Sequence, residues 1–94
     1  MRVKWLREAR ANLEAEAEYI SQGSPAAAGR IVAAIESAVV GLARHPAMGR
    51  PGRVVGTREL VVPGTPYVIP YRVRDNAVEV IRVFHGARRW PKKF

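Results

Sequence analysis

The sequence predicts an α+β fold with the element order β-α-α-β-β-β, in which a helical hairpin packs on one face of a small, mainly antiparallel sheet. Two observations predict it: apolar residues recur at helical spacing through the first half of the chain, and three β-rich segments bounded by turn residues fill the second half. Both kinds of element need a common core to bury their apolar faces. The 94 residues suffice for one modest core, so we expect residues 1–94 to form a single domain.

The first half is predicted to contain a short strand and a helical hairpin. Met1 to Trp5 is the strand, and the first helix runs from about Leu6 to Ser21 and ends near Gly23, a predicted left-handed cap. The second helix starts with Ser24 as N-cap and Pro25 at the first helical position. Its apolar stripe consists of Ala28, Ile31, Val32, Ile35, Ala38, Val39 and Leu42. The short connection makes the helices antiparallel.

The second half is predicted to contain a loop and the rest of the sheet. Arg44 to Gly56 is rich in Gly and Pro, which indicates a loop. The strands that follow are Thr57–Val62, Tyr67–Arg74 and Ala77–His85. Asp75 and Asn76 form a hairpin turn between the last two. Because Pro70 has no amide hydrogen to donate, the strand that contains it is expected to lie at a sheet edge or to be bulged there.

Composition excludes several classes of protein. There is no cysteine, so disulfides and thiolate metal sites are excluded, and no apolar run approaches the roughly 20 residues of a membrane span. We expect a cytoplasmic protein with no cofactor or metal. Sixteen Lys and Arg residues stand against eight Asp and Glu, and residues 50–94 hold ten of the basic residues but only three of the acidic ones. This asymmetry predicts an attraction to polyanions or to an acidic protein.

Residues 78–90 carry the clearest functional signal. An apolar run with β-branched residues ends at His85 and Gly86 and then becomes cationic, with Arg88, Arg89 and Trp90. Cations beside an aromatic ring suit a phosphate backbone, a base or an acidic peptide. The alternative is a solvated basic tail in which Trp90 fills a gap in the core.

Three segments carry a family resemblance. They are Gly56–Leu60, the Tyr-x-Ile-x-Tyr-Arg-Val strand from Tyr67 to Val73, and the segment from Val80 to Arg89, which contains His-Gly-x-Arg. The helix from Ser24 to Leu42 and the following His45–Arg50 fit the same pattern. With these motifs the chain resembles toxins of the RelE/ParE superfamily from bacterial type II toxin–antitoxin modules.

The resemblance implies a growth-inhibiting toxin that a cognate antitoxin neutralises in a hetero-oligomer. Its target would be DNA gyrase in the ParE-like branch, or ribosome-bound mRNA in the metal-free ribonuclease branch. The His-Gly-x-Arg motif resembles the ParE-like branch. Two departures also disfavour the ribonuclease: Val68 stands where that branch often has Arg, and no tyrosine follows Tyr71. A third hypothesis is a non-toxic nucleic-acid-binding module that uses the basic face alone.

Candidate site residues follow from these hypotheses. Target contact is expected from Arg88, Arg89, Trp90, Arg50 and Arg53. Antitoxin contact is expected from Arg58, Arg72 and Arg74, with Asp75 as a local partner of the latter two. A ribonuclease would use His85 as acid or base and Arg82 for the phosphorane charge. Alternatively, His85 hydrogen-bonds to backbone and Arg82 pairs with Glu59 or Glu79 as a structural ion pair.

Overall fold

The structure, a computed structural model, describes residues 1–87 and 89–94. The elements in chain order are β1 (Arg2–Trp5), α1 (Arg7–Gly23), α2 (Pro25–Gly41), β2 (Arg50–Pro51), β3 (Arg58–Val61), β4 (Tyr67–Arg74), β5 (Ala77–Val80) and β6 (Phe84–His85). The strands form one sheet in the order β1-β5-β4-β3-β2, and β6 also pairs with β4. Only the β1–β5 pair is parallel within the described residues. The predicted α+β fold is confirmed.

The connection between the helices differs from its prediction in one respect. Ser24 caps α2 as expected, since its side-chain oxygen accepts a hydrogen bond of 3.1 Å from the amide of Ala27. The left-handed cap at Gly23 is wrong: Gly23 is the last residue of α1, and the glycines with positive φ among the described residues are Gly56 and Gly64. The extended backbone of Ser24 (φ −161°, ψ 105°) reverses the chain instead, so no left-handed residue is needed.

The helices bury their apolar stripe against one face of the sheet. The helical core residues are Ala9, Leu13, Ile35, Val39 and Leu42, and those of the sheet region are Leu60, Val62, Tyr67, Ile69, Tyr71, Val78, Val80 and Val83. Side chains that alternate with these along the strands point to the opposite side. We call that side the open face, and it carries Lys4, Glu59, Val61, Val68, Pro70, Arg72, Arg74, Glu79 and Phe84.

The predicted last strand is divided at residues 81–83. These three residues lie between the segments paired with β4, opposite only residues 69–70 of β4. The extra residue is a bulge-type insertion, which breaks the ladder locally. Pro70 is therefore not at a sheet edge, because β4 lies between β3 and β5, and the irregularity falls in the partner strand. The carbonyl of Pro70 accepts from the amide of Ile81 at 2.9 Å, so its missing donor faces this interruption.

The turn between β4 and β5 forms as predicted. Asp75 and Asn76 have φ values of 53° and 59°. Positive φ at both central residues is the requirement of a type I′ turn, which matches the twist of an antiparallel hairpin. The turn sets the register in which Arg72 lies opposite Glu79 on the open face.

Candidate functional site

A buried carboxylate on β3 organises the arginines of the preceding loop. The side chain of Glu59 is only 2% exposed, and its Oε1 accepts hydrogen bonds from Nε and Nη2 of Arg50 at 3.2 and 3.0 Å. Arg53 donates from Nε to Oε2 at 2.9 Å and from Nη2 to Oε1 at 3.1 Å, and its backbone amide donates to Oε2 at 2.8 Å. The Arg53 fork is thus bidentate, the strongest geometry for this pair.

These contacts fix the charge of Glu59. Burial by itself would raise the pKa of this carboxyl, but the hydrogen bonds from Arg53 and Arg50 outweigh it and hold the pKa below its ordinary value. Glu59 is therefore ionised at neutral pH. Arg50 and Arg53, both predicted to bind the target, donate hydrogen bonds to Glu59. About half of each side chain, 53% and 46%, is nevertheless exposed.

Trp90 packs against the guanidinium of Arg53. The Cζ atom of Arg53 lies 3.9 Å from the centroid of the ring, which is cation–π stacking distance. The ring meets Phe84 edge-on, with centroids 4.9 Å apart and planes at 73°. Phe94 lies 6.4 Å from Phe84, and Arg82 lies 5.3 Å from the Phe94 ring. Residues 89–94, here called the C-terminal segment, thus fold back onto β6.

A cleft of about 430 Å³ separates this segment from α1. It is lined by Glu8, Asn12, Arg82, Phe84, Arg89, Trp90 and Pro91. Two of the predicted target-binding residues, Arg89 and Trp90, therefore share a surface with Arg82, and Arg53 lies behind Trp90. Arg89 is exposed. The prediction for Arg88 lies outside the described residues.

The two predicted catalytic residues contact different groups. Nδ1 of His85 accepts from the amide of Ala87 at 3.2 Å, and its ring meets Tyr67 edge-on at 5.8 Å. Arg82 donates to the carbonyl of Ile81 at 2.8 Å and approaches Phe94. The contacts of His85 match the alternative of a backbone-bonded histidine, and the catalytic roles of both residues stay predictions.

Tyr67, the neighbour of His85, is held in its neutral form. Its hydroxyl donates to Oε1 of Glu16 at 2.9 Å. Burial, together with this hydrogen bond and the Glu16 charge, raises the pKa of Tyr67 to about 12. A phenol with so high a pKa is a poor general base at neutral pH. Tyr67 therefore does not supply the general base that RNA cleavage would need.

The predicted antitoxin-binding arginines divide between two sides of the sheet. Arg72 and Arg74 place Nε 2.7 and 3.4 Å from Oε1 of Glu79 on the open face. Their partner is thus Glu79 rather than the expected Asp75. Hydrogen bonding from Arg72 holds the pKa of Glu79 below its ordinary value. Arg58 instead donates to the carbonyl of Gly49 at 2.8 Å, on the helix side.

The open face and its adjoining loop have an excess of positive charge. Lys4, Arg50, Arg53, Arg72 and Arg74 outnumber the two carboxylates, Glu59 and Glu79. The sequence analysis did not predict that Glu59 orients these arginines. The signal that could have indicated it is a single carboxylate inside an otherwise apolar strand, because a buried charge needs a partner.

No group of three or more potential metal ligands occurs in the part of the chain that the structure describes. Within that part, the helices are also too short or too polar to span a membrane.

Comparison with known proteins gives consistent similarities. The family model described as the ParE toxin of type II toxin–antitoxin system, parDE, matches residues 3–90. Y4kP of Sinorhizobium fredii is 45% identical over 91 residues, which cover 97% of this chain and 94% of that protein. Toxin RelE2 of Caulobacter vibrioides is 41% identical over 86 residues, covering 92% and 96%. A chain of the chromosomal ParDE system from P. aeruginosa superimposes with a TM-score of 0.81 at 31% identity, covering 90% of this chain and 95% of that one.

Proposed function

Because the chain belongs to the ParE toxin family of type II toxin–antitoxin systems, we propose that it inhibits growth by binding DNA gyrase and that a cognate antitoxin neutralises it. The observation that carries the choice of target is the surface where exposed Arg89 adjoins Trp90 and Arg82. Arginines beside an aromatic ring supply bidentate and stacking contacts, which suit binding better than proton transfer. Gyrase acts in the cytoplasm, so the proposal assigns the protein to that compartment.

The runner-up, cleavage of ribosome-bound mRNA, requires an acid–base pair around the scissile phosphate. The hydroxyl of Tyr67 donates to Glu16, and the pKa of Tyr67 is raised to about 12. His85 accepts a backbone hydrogen bond through Nδ1. Arg82 can stabilise charge but is a poor base because it stays protonated. This distribution of contacts supports inhibition by binding.

The antitoxin would meet the open face. Arg72 and Arg74 remain partly exposed beside Glu79, with side-chain exposures of 29% and 58%. Their charge, with that of Lys4, exceeds the charge of Glu79, so an acidic segment would be attracted here. The C-terminal segment packs on a different part of the same face, against Phe84 of β6 and Arg53 of the loop, and is left to the target.

The test is a supercoiling assay with purified gyrase and the purified chain, paired with induced expression in bacteria. We expect inhibition of gyrase and DNA damage in cells, with intact mRNA, and reversal of both by the cognate antitoxin. Normal supercoiling with codon-phased mRNA cuts would replace the gyrase target with the ribosome. Absence of a growth defect, with steeply salt-dependent binding to nucleic acid, would instead favour the non-toxic binding module.

A further inference from the structure

The position of Trp90 depends on packing. Its indole Nε1 is buried and makes no hydrogen bond within the described residues. The ring is held between the guanidinium of Arg53, 3.9 Å away, and the edge of Phe84, 4.9 Å away. Arg53 therefore supplies one of the surfaces that fix the ring, and whatever orients Arg53 also orients the C-terminal segment.

Glu59 orients Arg53 at three points. The carboxylate receives Nε and Nη2 of the side chain in parallel, at 2.9 and 3.1 Å, and the backbone amide of the same residue at 2.8 Å. A guanidinium held by both donors of its fork cannot rotate out of its plane without breaking them. Trp90 packs against this guanidinium, whose Cζ lies 3.9 Å from the centroid of the ring.

Arg50 provides an internal comparison. It binds the same carboxylate through Oε1, at 3.0 and 3.2 Å, but in the described part of the chain the guanidinium stacked on Trp90 is that of Arg53. Loss of Arg50 leaves the contacts between Arg53 and Glu59 in place. Replacing Arg50 therefore removes only a partner of Glu59, whereas replacing Arg53 also removes the contact with Trp90.

We propose that Glu59 is a positioning residue which, through Arg53, holds Trp90 and the C-terminal segment in the conformation that contacts the target. The inference rests on the proposed function, because it assumes that this segment binds gyrase. Glu59 itself is buried and touches no target. Its contribution is pre-organisation, since a segment fixed before binding loses less conformational entropy on association.

The experiment measures acrylamide quenching of Trp90 in the full chain carrying Trp5→Phe, which leaves Trp90 as the single tryptophan of the two. Glu59→Gln keeps the size of the side chain but removes its charge, Arg53→Lys keeps the charge but removes the fork, and Arg50→Ala is the matched control. Trypsin cleavage after Arg89 and inhibition of gyrase are measured on the same proteins, and circular dichroism checks that each is folded.

We expect Glu59→Gln and Arg53→Lys to raise the undocked population of Trp90 roughly tenfold, the equivalent of one cation–π contact. Trypsin cleavage and the half-inhibitory concentration for gyrase should rise with it, while Arg50→Ala quenches like the parent. Equal protection of Trp90 in folded Glu59→Gln or Arg53→Lys would overturn the proposal. So would equal exposure in all three variants, or an undocked Trp90 with unchanged gyrase inhibition.

Gyrase inhibition tests the proposed function, and quenching of Trp90 tests the role of Glu59. If the parent chain fails to inhibit gyrase, the proposed function fails, yet quenching still decides whether Glu59 docks Trp90. If Glu59→Gln does not fold, Arg53→Lys decides instead, because that side chain is 46% exposed and its replacement buries no new group.

Discussion

The backbone amide of Gly49 donates a hydrogen bond to the buried hydroxyl of Tyr71, 2.8 Å away and 22 positions along the chain. The same hydroxyl donates to the carbonyl of Pro46 at 2.7 Å. A tyrosine of the central strand thus anchors the segment that leads from α2 to β2. Because Arg50 and Arg53 follow directly, the anchor also places the arginines that meet Glu59.

Gly49→Ala should lower the free energy of unfolding by about 1–3 kcal/mol, the usual cost of overpacking. A Cβ at this position would lie 2.6 Å from Cε1 of Tyr71 and 2.9 Å from the carbonyl oxygen of Glu59, and the backbone cannot give way easily. Gly29→Ala is the control, since a Cβ there would meet nothing within 4 Å apart from its chain neighbours and its own helix backbone, and alanine favours a helix by up to about 1 kcal/mol. Urea unfolding checks both, and equal stability of the two variants would contradict the close packing.

Acid should destabilise the protein through Glu59. Its pKa in the folded state lies below the ordinary value of 4.5, so the unfolded chain binds more protons as the pH falls. The stabilisation is present above about pH 4.5 and is lost as the pH drops through the folded-state pKa. Urea midpoints measured from about pH 7 down to about pH 3 should fall less steeply in Glu59→Gln. An identical slope in the variant would exclude this carboxyl as the cause.

Alkali should destabilise the protein through Tyr67. Its pKa is raised from 10.0 to about 12 in the folded state, so its contribution is complete below pH 10 and is lost as the pH rises towards 12. Tyr67→Phe should unfold with a weaker dependence on pH than the parent in this range. Ultraviolet titration of the parent against Tyr67→Phe gives a direct check: ionisation of Tyr67 at its ordinary value of 10.0 would refute the shift.

Arg89→Glu should weaken inhibition of gyrase by tenfold or more, about the value of one charge-assisted contact. Arg89 is exposed at the cleft beside Trp90, so the free energy of unfolding should change little. Arg30→Glu, exposed on α2, makes the same charge change elsewhere and serves as the control. Equal inhibition by both variants would remove Arg89 from the target surface.

Arg74→Glu should slow association with the antitoxin and reduce its dependence on salt, because the residue is 58% exposed at the edge of the cationic open face. Gyrase inhibition by this variant, measured without antitoxin, should match that of the parent. Surface plasmon resonance at several salt concentrations provides the measurement. An unchanged association rate would mean that the antitoxin binds elsewhere.

The helices, their connection and the hairpin turn were predictable because their signals are local. Ser24 and Pro25 specify a helix start through the chain's own backbone, and Asp75 and Asn76 tolerate the positive φ that the turn requires. The error at Gly23 is of the same local kind: an extended Ser24 reverses the chain as well as a left-handed glycine would.

The sequence left two possibilities for Pro70, an edge strand or a bulge, and strand pairing alone decides between them. The edge position is wrong because β4 lies inside the sheet, whereas a bulge-type insertion in the neighbouring strand accommodates the missing donor. The predicted strand Ala77–His85 could not be divided from sequence for the same reason. Apolar periodicity is a property of one segment, whereas a bulge is a difference in the number of residues between two paired strands.

By itself the sequence determined the fold class, the apolar stripe of the hairpin and the set of cations available for binding, since spacing and composition fix these. Only the tertiary structure decided which of those cations are already engaged. Arg53 lies six positions from Glu59 along the chain, yet its place between that carboxylate and Trp90 exists only because the loop, β3 and the C-terminal segment meet. Ion pairing and stacking depend on separations of a few ångströms, and one-dimensional spacing does not specify those separations across a fold.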